Sequence, residues 1–260
     1  MIRIGVIGLG WWGKQIVTCL AGSSRFKVVA GCDIDQAMAA PFTAAHGVDL
    51  IADYRDMLKR PDIDAVAVVT PHLLHEEMAI AGFGAGKQVF CEKPLARHAP
   101  AGAWTALGIH LGDMFVSLAD KPVRVAARTA SQIFPAPSED FVAAEIDFAN
   151  GARGRITCLS TPPFYGRFTL FGDQGWVEVQ EGGNVDKGIP SFFVHCKADG
   201  SRESRDYAPI NTVRLNFEAW ADAIEGRAPY RFTVDHLRWN IHIFDAVIRS
   251  AAAGGKPIEL

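Results

Sequence analysis

The sequence predicts an α/β Rossmann domain, a doubly wound parallel sheet, followed by an α+β domain with a mostly antiparallel, open-faced sheet. Three observations predict it. Short apolar runs alternate with helical patterns through the first hundred residues. A glycine motif, GLGWWG at 8–13, separates the first such run from the first helical pattern. From Val123 onward the pattern changes to hairpins, and it closes on two helices. The division this implies is 1–100 and 101–260.

The elements follow in order. Ile2 to Ile7 reads as a strand and Lys14 to Ala21 as a helix, with G-x-G-x-x-G between them. Gly8 permits the tight turn, Gly10 lets a pyrophosphate come up to the backbone, and Gly13 lets the helix pack closely on the sheet. The next strand, KVVAGCDID at 27–35, carries Asp33, 20 residues after Gly13. An acid there accepts both hydroxyls of an adenosine ribose and repels a 2′-phosphate, which favours NAD over NADP. Trp11 and Trp12 open the helix, where they either flank the dinucleotide or cover the sheet edge. Helix 36–46, strand 48–53, helix 54–60 and the buried strand DAVAVV at 64–69 continue the alternation. Thr70-Pro71 ends that strand at the carboxyl edge, where sheets of this kind bind ligands. Helix 73–84 and a strand ending at Cys91 complete the domain.

Composition narrows the function classes. The 260 residues are 49% apolar and 21% charged, with net charge −3, an ordinary globular balance with no basic surface for nucleic acid or an anionic membrane. No apolar run reaches membrane-spanning length, and MIRIGVIGLG reads as a strand rather than a signal peptide. Five scattered cysteines without Cys-x-x-Cys spacing read as free thiols in a reducing cytoplasm, and no metal-ligand spacing appears.

The stretch TPHLLHEEMAIAGFGAGKQVFCEKPLA at 70–96, with GLGWWG, Asp33 and GIHLGD at 108–113, resembles the Gfo/Idh/MocA oxidoreductases, closely over 1–96 and more loosely over 101–260. The resemblance implies that Gly8, Gly10, Gly13 and Asp33 hold the adenosine and pyrophosphate, and that Thr70, Pro71 and His75 line the cofactor path. It places Glu92, Lys93 and Pro94 at the nicotinamide ribose and the reacting carbon. Lys93 then polarises the substrate oxygen and His110, of Gly-x-His-x-x-Asp, shuttles the proton, with Asp113 in the same set. The chemistry is sound on its own terms: alcohol oxidation leaves a proton for a neutral imidazole, and a fixed ammonium stabilises a developing alkoxide.

Residues 103–119 read as an amphipathic helix. Trp104, Leu107, Leu111, Met114 and Leu118 form the expected core stripe, and Ala103, Ala106, His110, Asp113 and Ser117 run beside it. His110 and Asp113 stand one turn apart, within reach of each other. Two departures from the family pattern stand out. Ala106 occupies a position where many members carry a catalytic-set aspartate. Only LARHAPAG at 95–102 separates Glu-Lys-Pro from the histidine helix, too few residues for the roughly 30 of a strand-crossover-strand unit.

In the second half, 141–161 is a hairpin about Asn150-Gly151, with Glu145 and Asp147 placed to pair across it with Arg153 and Arg155 on a solvated face. A second hairpin spans 167–180, a third pairing element 191–207, and helices 213–225 and 234–253 close the chain. One broad sheet with an uncovered face is expected, and with it a homodimer or higher homo-oligomer. The leading functional reading is an NAD-dependent dehydrogenase acting on a secondary alcohol or ketone of a sugar, cyclitol or related small molecule. Its rival is a catalytically reduced dinucleotide-binding homologue with a regulatory or structural role, to which the short junction and Ala106 point.

Overall fold

A computed structural model describes residues 1–95, 102–135, 139–184 and 187–260. They form two compact units, one of 1–161 with 218–260 and one of 162–217.

The first unit opens with β1 (Ile2–Ile7), α1 (Trp11–Leu20), β2 (Phe26–Cys32), α2 (Gln36–His46) and β3 (Asp49–Ile51). α3 (Tyr54–Leu58), β4 (Ala65–Val68), α4 (His75–Gly84) and β5 (Gln88–Cys91) follow. The strands pair in parallel in the order β3-β2-β1-β4-β5. β4 is buried at all four positions, as its unbroken apolar run requires of a strand covered on both faces. Asp35 caps α2 by accepting from the Met38 N–H at 2.9 Å. Most boundaries fall within a few residues of the sequence reading, and α1 starts three residues earlier, at Trp11.

Residues 96–101, most of the short junction, lie outside the described residues. Among the described residues, no strand or helix intervenes between β5 and the helical segment that is under way by Gly102. That segment contains a π-helical turn, Trp104–Gly108, and continues as α5 (Ile109–Leu118). The wider turn corrects the predicted stripe. Trp104, Gly108, Ile109 and Gly112 are buried, whereas Leu107 and Leu118 are exposed. A π turn holds more residues than an α turn, so the face that enters the core shifts between Trp104 and the residues after it.

α5 and α7 (Val234–Ala252) pack on an antiparallel sheet of order β13-β6-β7-β8, formed by Ile258–Glu259, Pro122–Ala130, Phe141–Phe148 and Arg153–Leu159. The expected register about Asn150-Gly151 is present, with Glu145 opposite Arg155 and Asp147 opposite Arg153. Arg155 meets Glu145 at 2.8 Å. α6 (Thr212–Ile224) joins the first unit from Glu218 onward, where Trp220 stacks on Phe26 and Arg25 pairs with Asp222 and Glu225.

The second unit holds β9 (Gly166–Gly172), β10 (Gly175–Glu181), β11 (Ser191–Lys197) and β12 (Arg202–Tyr207), an antiparallel meander. The antiparallel part is therefore two four-stranded sheets rather than the one broad sheet expected. Pro162 and Pro163, between β8 and β9, have no backbone N–H to continue a ladder.

Candidate active site

The glycine loop is built as its sequence implies. Gly8 has φ +97°, a conformation side chains disfavour, and a Cβ there would meet the Val69 carbonyl at 2.6 Å. A Cβ on Gly13 would stand 1.9 Å from the Gly8 oxygen, so α1 reaches this position only because residue 13 has no side chain. In front of Gly10, by contrast, nothing lies within 4 Å of where a Cβ would be. Open space at the N-terminus of α1, with its unpaired backbone N–H groups, suits a pyrophosphate. Asp33 faces the same loop, its carboxylate accepting from the Leu9 N–H at 2.7 Å and the Asp35 N–H at 2.9 Å.

Glu-Lys-Pro follows β5 directly, joined by a cis Lys93-Pro94 bond. Trp12 reaches it from α1, donating its indole N–H to Glu92 Oε1 at 2.6 Å. Trp11 is exposed, its ring 5.3 Å from that of Trp12. His75 is buried behind the motif, with Nδ1 3.1 Å from the Pro94 oxygen and Nε2 2.8 Å from the Thr70 oxygen. It thereby ties the exit of β4, at Thr70-Pro71, to the exit of β5.

Lys93 and His110 come together. The Lys93 ammonium donates to the carbonyl oxygens of Thr105 and Ala106, at 3.0 and 3.3 Å, in the turn just before His110. Desolvation lowers the Lys93 pKa, and the charge of Glu92 partly offsets it. His110 is pushed down to about 4, by desolvation first and by the Lys93 cation second. Part of His110 is open to solvent, which tempers the first cause, but both causes favour the neutral ring at neutral pH.

Asp113 turns elsewhere. Its Oδ1 accepts from His236 Nε2 at 3.1 Å and from Asn240 Nδ2 at 3.4 Å, both on α7. Ser117 Oγ stands 3.3 Å from the same His236 nitrogen. Among the described residues His110 makes no hydrogen bond to Asp113. His236 and Asn240 had no signal in the sequence, because only packing brings α7 to α5.

Other chemistries find little footing. Burial pushes the thiols of Cys32 and Cys91 up to about 12 and that of Cys158 to about 11, far from thiolate reactivity. A groove of about 180 Å³ on the sheet's outer face is lined by Arg124, Glu145, Asp147, Arg153 and Arg155, whose charges pair with one another. It is a solvated ladder of ion pairs. No helix of the described residues is long and apolar enough to cross a membrane.

A model of the NAD-binding Rossmann domain of an oxidoreductase family matches residues 2–106, and the GFO/IDH/MocA C-terminal domain matches 90–178. The chain belongs to the Gfo/Idh/MocA oxidoreductase family. Among curated relatives, an inositol 2-dehydrogenase of Klebsiella pneumoniae is 41% identical over 101 residues, 38% of this chain and 30% of that one. Another, from Ralstonia nicotianae, is 40% identical over 98 residues, 36% and 29% of the two chains. The matched stretch thus spans less than a third of these relatives. An aldose-aldose oxidoreductase from Caulobacter crescentus shares the fold at TM-score 0.85 and 17% identity, over 100% of this chain and 99% of that one. A 3-ketoreductase from Actinomadura kijaniata, solved with NADP, shares it at TM-score 0.84 and 18% identity, over 96% and 97%.

Proposed function

We propose that this family member is an NAD-dependent dehydrogenase, moving a hydride between nicotinamide and a secondary alcohol or ketone of a sugar, cyclitol or related small molecule. The observation that carries the reading is the convergence of Lys93 and His110 on one turn, from separate elements. Gly8, Gly10, Gly13 and the start of α1 at Trp11 and Trp12 would hold the pyrophosphate, and Asp33 the adenosine ribose. Thr70, Pro71, Glu92, Lys93 and Pro94 would border the nicotinamide end, with His75 bracing them from behind. Bound there, the dinucleotide accepts or returns the hydride.

The chain's own residues do the rest. Lys93 presents a cation to the substrate oxygen, where negative charge develops. His110, neutral at working pH, accepts the hydroxyl proton and returns it in the reverse direction. Asp113 acts on the site through α5, which it fixes to His236 and Asn240 of α7. The carboxylate of Asp33 favours NAD over the 2′-phosphorylated cofactor. Residues 1–100 form the cofactor domain in this reading, and the protein works in the cytoplasm as a homodimer or higher homo-oligomer, which light scattering tests.

The deciding experiment is a polyol and sugar panel followed at the reduced-nicotinamide absorbance band, at high protein concentration and with Lys93→Ala alongside. Turnover that falls about 10²–10³-fold in Lys93→Ala is expected. Near wild-type turnover in that variant would sink the assignment. Binding of NAD with no turnover on any substrate would instead favour the non-catalytic homologue.

A further inference from the structure

We infer that the π turn Trp104–Gly108 is a built anchor for Lys93, and that Trp104 and Gly108 are the positioning residues that create it. The inference rests on the reading of Lys93 as the polarising cation and says what aims it. In an α-helix each interior carbonyl accepts from the N–H four residues on. Here the Ile109 N–H reaches back to the Trp104 oxygen, five residues away. Where a helix passes from the wider pitch to the narrower, its carbonyls are less fully engaged, and an outside donor can use them. Lys93 is that donor, to Thr105 and Ala106.

The side chains explain why the turn is wide. Trp104 is fully buried, and its indole fills the space beside two glycines of the same helix. A Cβ at Gly108 would stand 2.4 Å from the ring, and one at Gly112 would stand 3.6 Å from it. The ring therefore takes the place of a side chain at 108, whereas at 112 a Cβ would only touch it.

The anchor leaves Lys93 usable. An ammonium has three donors, and two of them go to the turn, leaving one for a substrate oxygen. The acid whose charge acts on Lys93 is otherwise engaged: Glu92 accepts the Trp12 indole N–H at 2.6 Å and the Lys93 backbone N–H at 3.2 Å. The ammonium is thus gripped by neutral dipoles, and among the described residues no carboxylate forms an ion pair with it. Burial lowers the Lys93 pKa, and the carbonyls it contacts work the other way, favouring the ammonium.

The test removes the extra residue of the turn. Deleting Leu107 puts the Ile109 N–H four residues from the Trp104 carbonyl, the α-helical spacing, and Gly108→Ala is a milder second variant that forces the ring aside. The full chain is prepared with ¹³Cε-labelled lysine, which leaves all three N–H donors in place, and the Lys93 resonance is assigned by its loss in Lys93→Arg. Losing two carbonyl acceptors that favour the charged form should lower the Lys93 pKa in each folded variant. Turnover should fall about 10²-fold with NAD affinity kept. A folded variant whose Lys93 titration is unchanged overturns the inference. If the dehydrogenase reading fails, turnover is absent throughout, and the titration still decides. Should both variants unfold, Lys93→Met decides: the ¹³C carbonyl resonances of Thr105 and Ala106 must shift, and unmoved resonances overturn the anchor.

Discussion

Replacing Asp33 by asparagine removes a charge while keeping one acceptor, and so separates the two jobs of this side chain. The carboxylate now accepts from two backbone N–H groups, those of Leu9 and Asp35, at 2.7 and 2.9 Å. An amide has one oxygen, so one of these bonds is lost. Hydrogen bonds to a charged acceptor are worth about 1.5–3 kcal/mol, so a stability loss of about 2 kcal/mol is expected. The larger effect is on cofactor choice. A unit negative charge ~5 Å from another, at an effective dielectric constant of about 20, is disfavoured by ~3 kcal/mol, before screening by salt. Removing it should narrow the ratio of NADP to NAD dissociation constants by about 10²-fold. Calorimetric titration of both proteins with both cofactors, at one ionic strength, measures the ratio. An unaltered protein that binds NADP as tightly as NAD would refute the reasoning outright. So would an unchanged ratio in folded Asp33→Asn.

Three further predictions follow from the same contacts. His110, held near 4, should not titrate by NMR between about pH 5 and 7.5, and Lys93→Met should raise its pKa by removing the second cause of the depression. Its folded pKa lies below the ordinary 6.5, so the unfolded chain binds the proton first. Stability should then fall as pH drops from about 6.5 to 4, a slope that His110→Gln flattens in acid denaturation. Asp113→Ala should cost about 1–3 kcal/mol by removing the carboxylate that accepts from His236 and Asn240, while the His110 titration stays where it was; a moved titration would return Asp113 to direct partnership with His110. Gly13→Ala must displace α1 from the Gly8 carbonyl, costing at least about 1–3 kcal/mol in thermal unfolding and weakening NAD binding.

What the sequence made legible is what neighbours in sequence decide. The loop Gly8–Gly13 needs only its own strand, helix and glycines, and the hairpin about Asn150-Gly151 sets its own register, down to Glu145 opposite Arg155. The helix at 103–119 was misphased for the opposite reason. It contains a π turn with an indole lodged where a side chain at 108 would stand, and periodicity counted at 3.6 residues per turn has no means of registering that. The partner of Asp113 was out of reach as well, since His236 lies 123 residues away and meets it only through packing of α5 on α7. Two sheets replaced one because a pair of prolines at 162 and 163 interrupts the strands, a signal present in the sequence but weaker than the hairpins on either side.

The short junction between Glu-Lys-Pro and the histidine helix bears on competence through these same contacts. A lysine and a histidine from separate elements make one site only if something fixes the distance between them. The bonds from Lys93 to Thr105 and Ala106 do so across 12 and 13 residues. Trp12 and His75 hold the motif from the other side, through Glu92 and Pro94. Lys93 is thus fixed at both its backbone and its ammonium, and neither tether belongs to the junction itself. Insertion of a flexible Gly-Ser pair between Leu95 and Ala96 should therefore leave turnover and the His110 titration nearly unchanged. If the junction were what sets the geometry, the same insertion would detune His110 towards its ordinary 6.5 and lower turnover together.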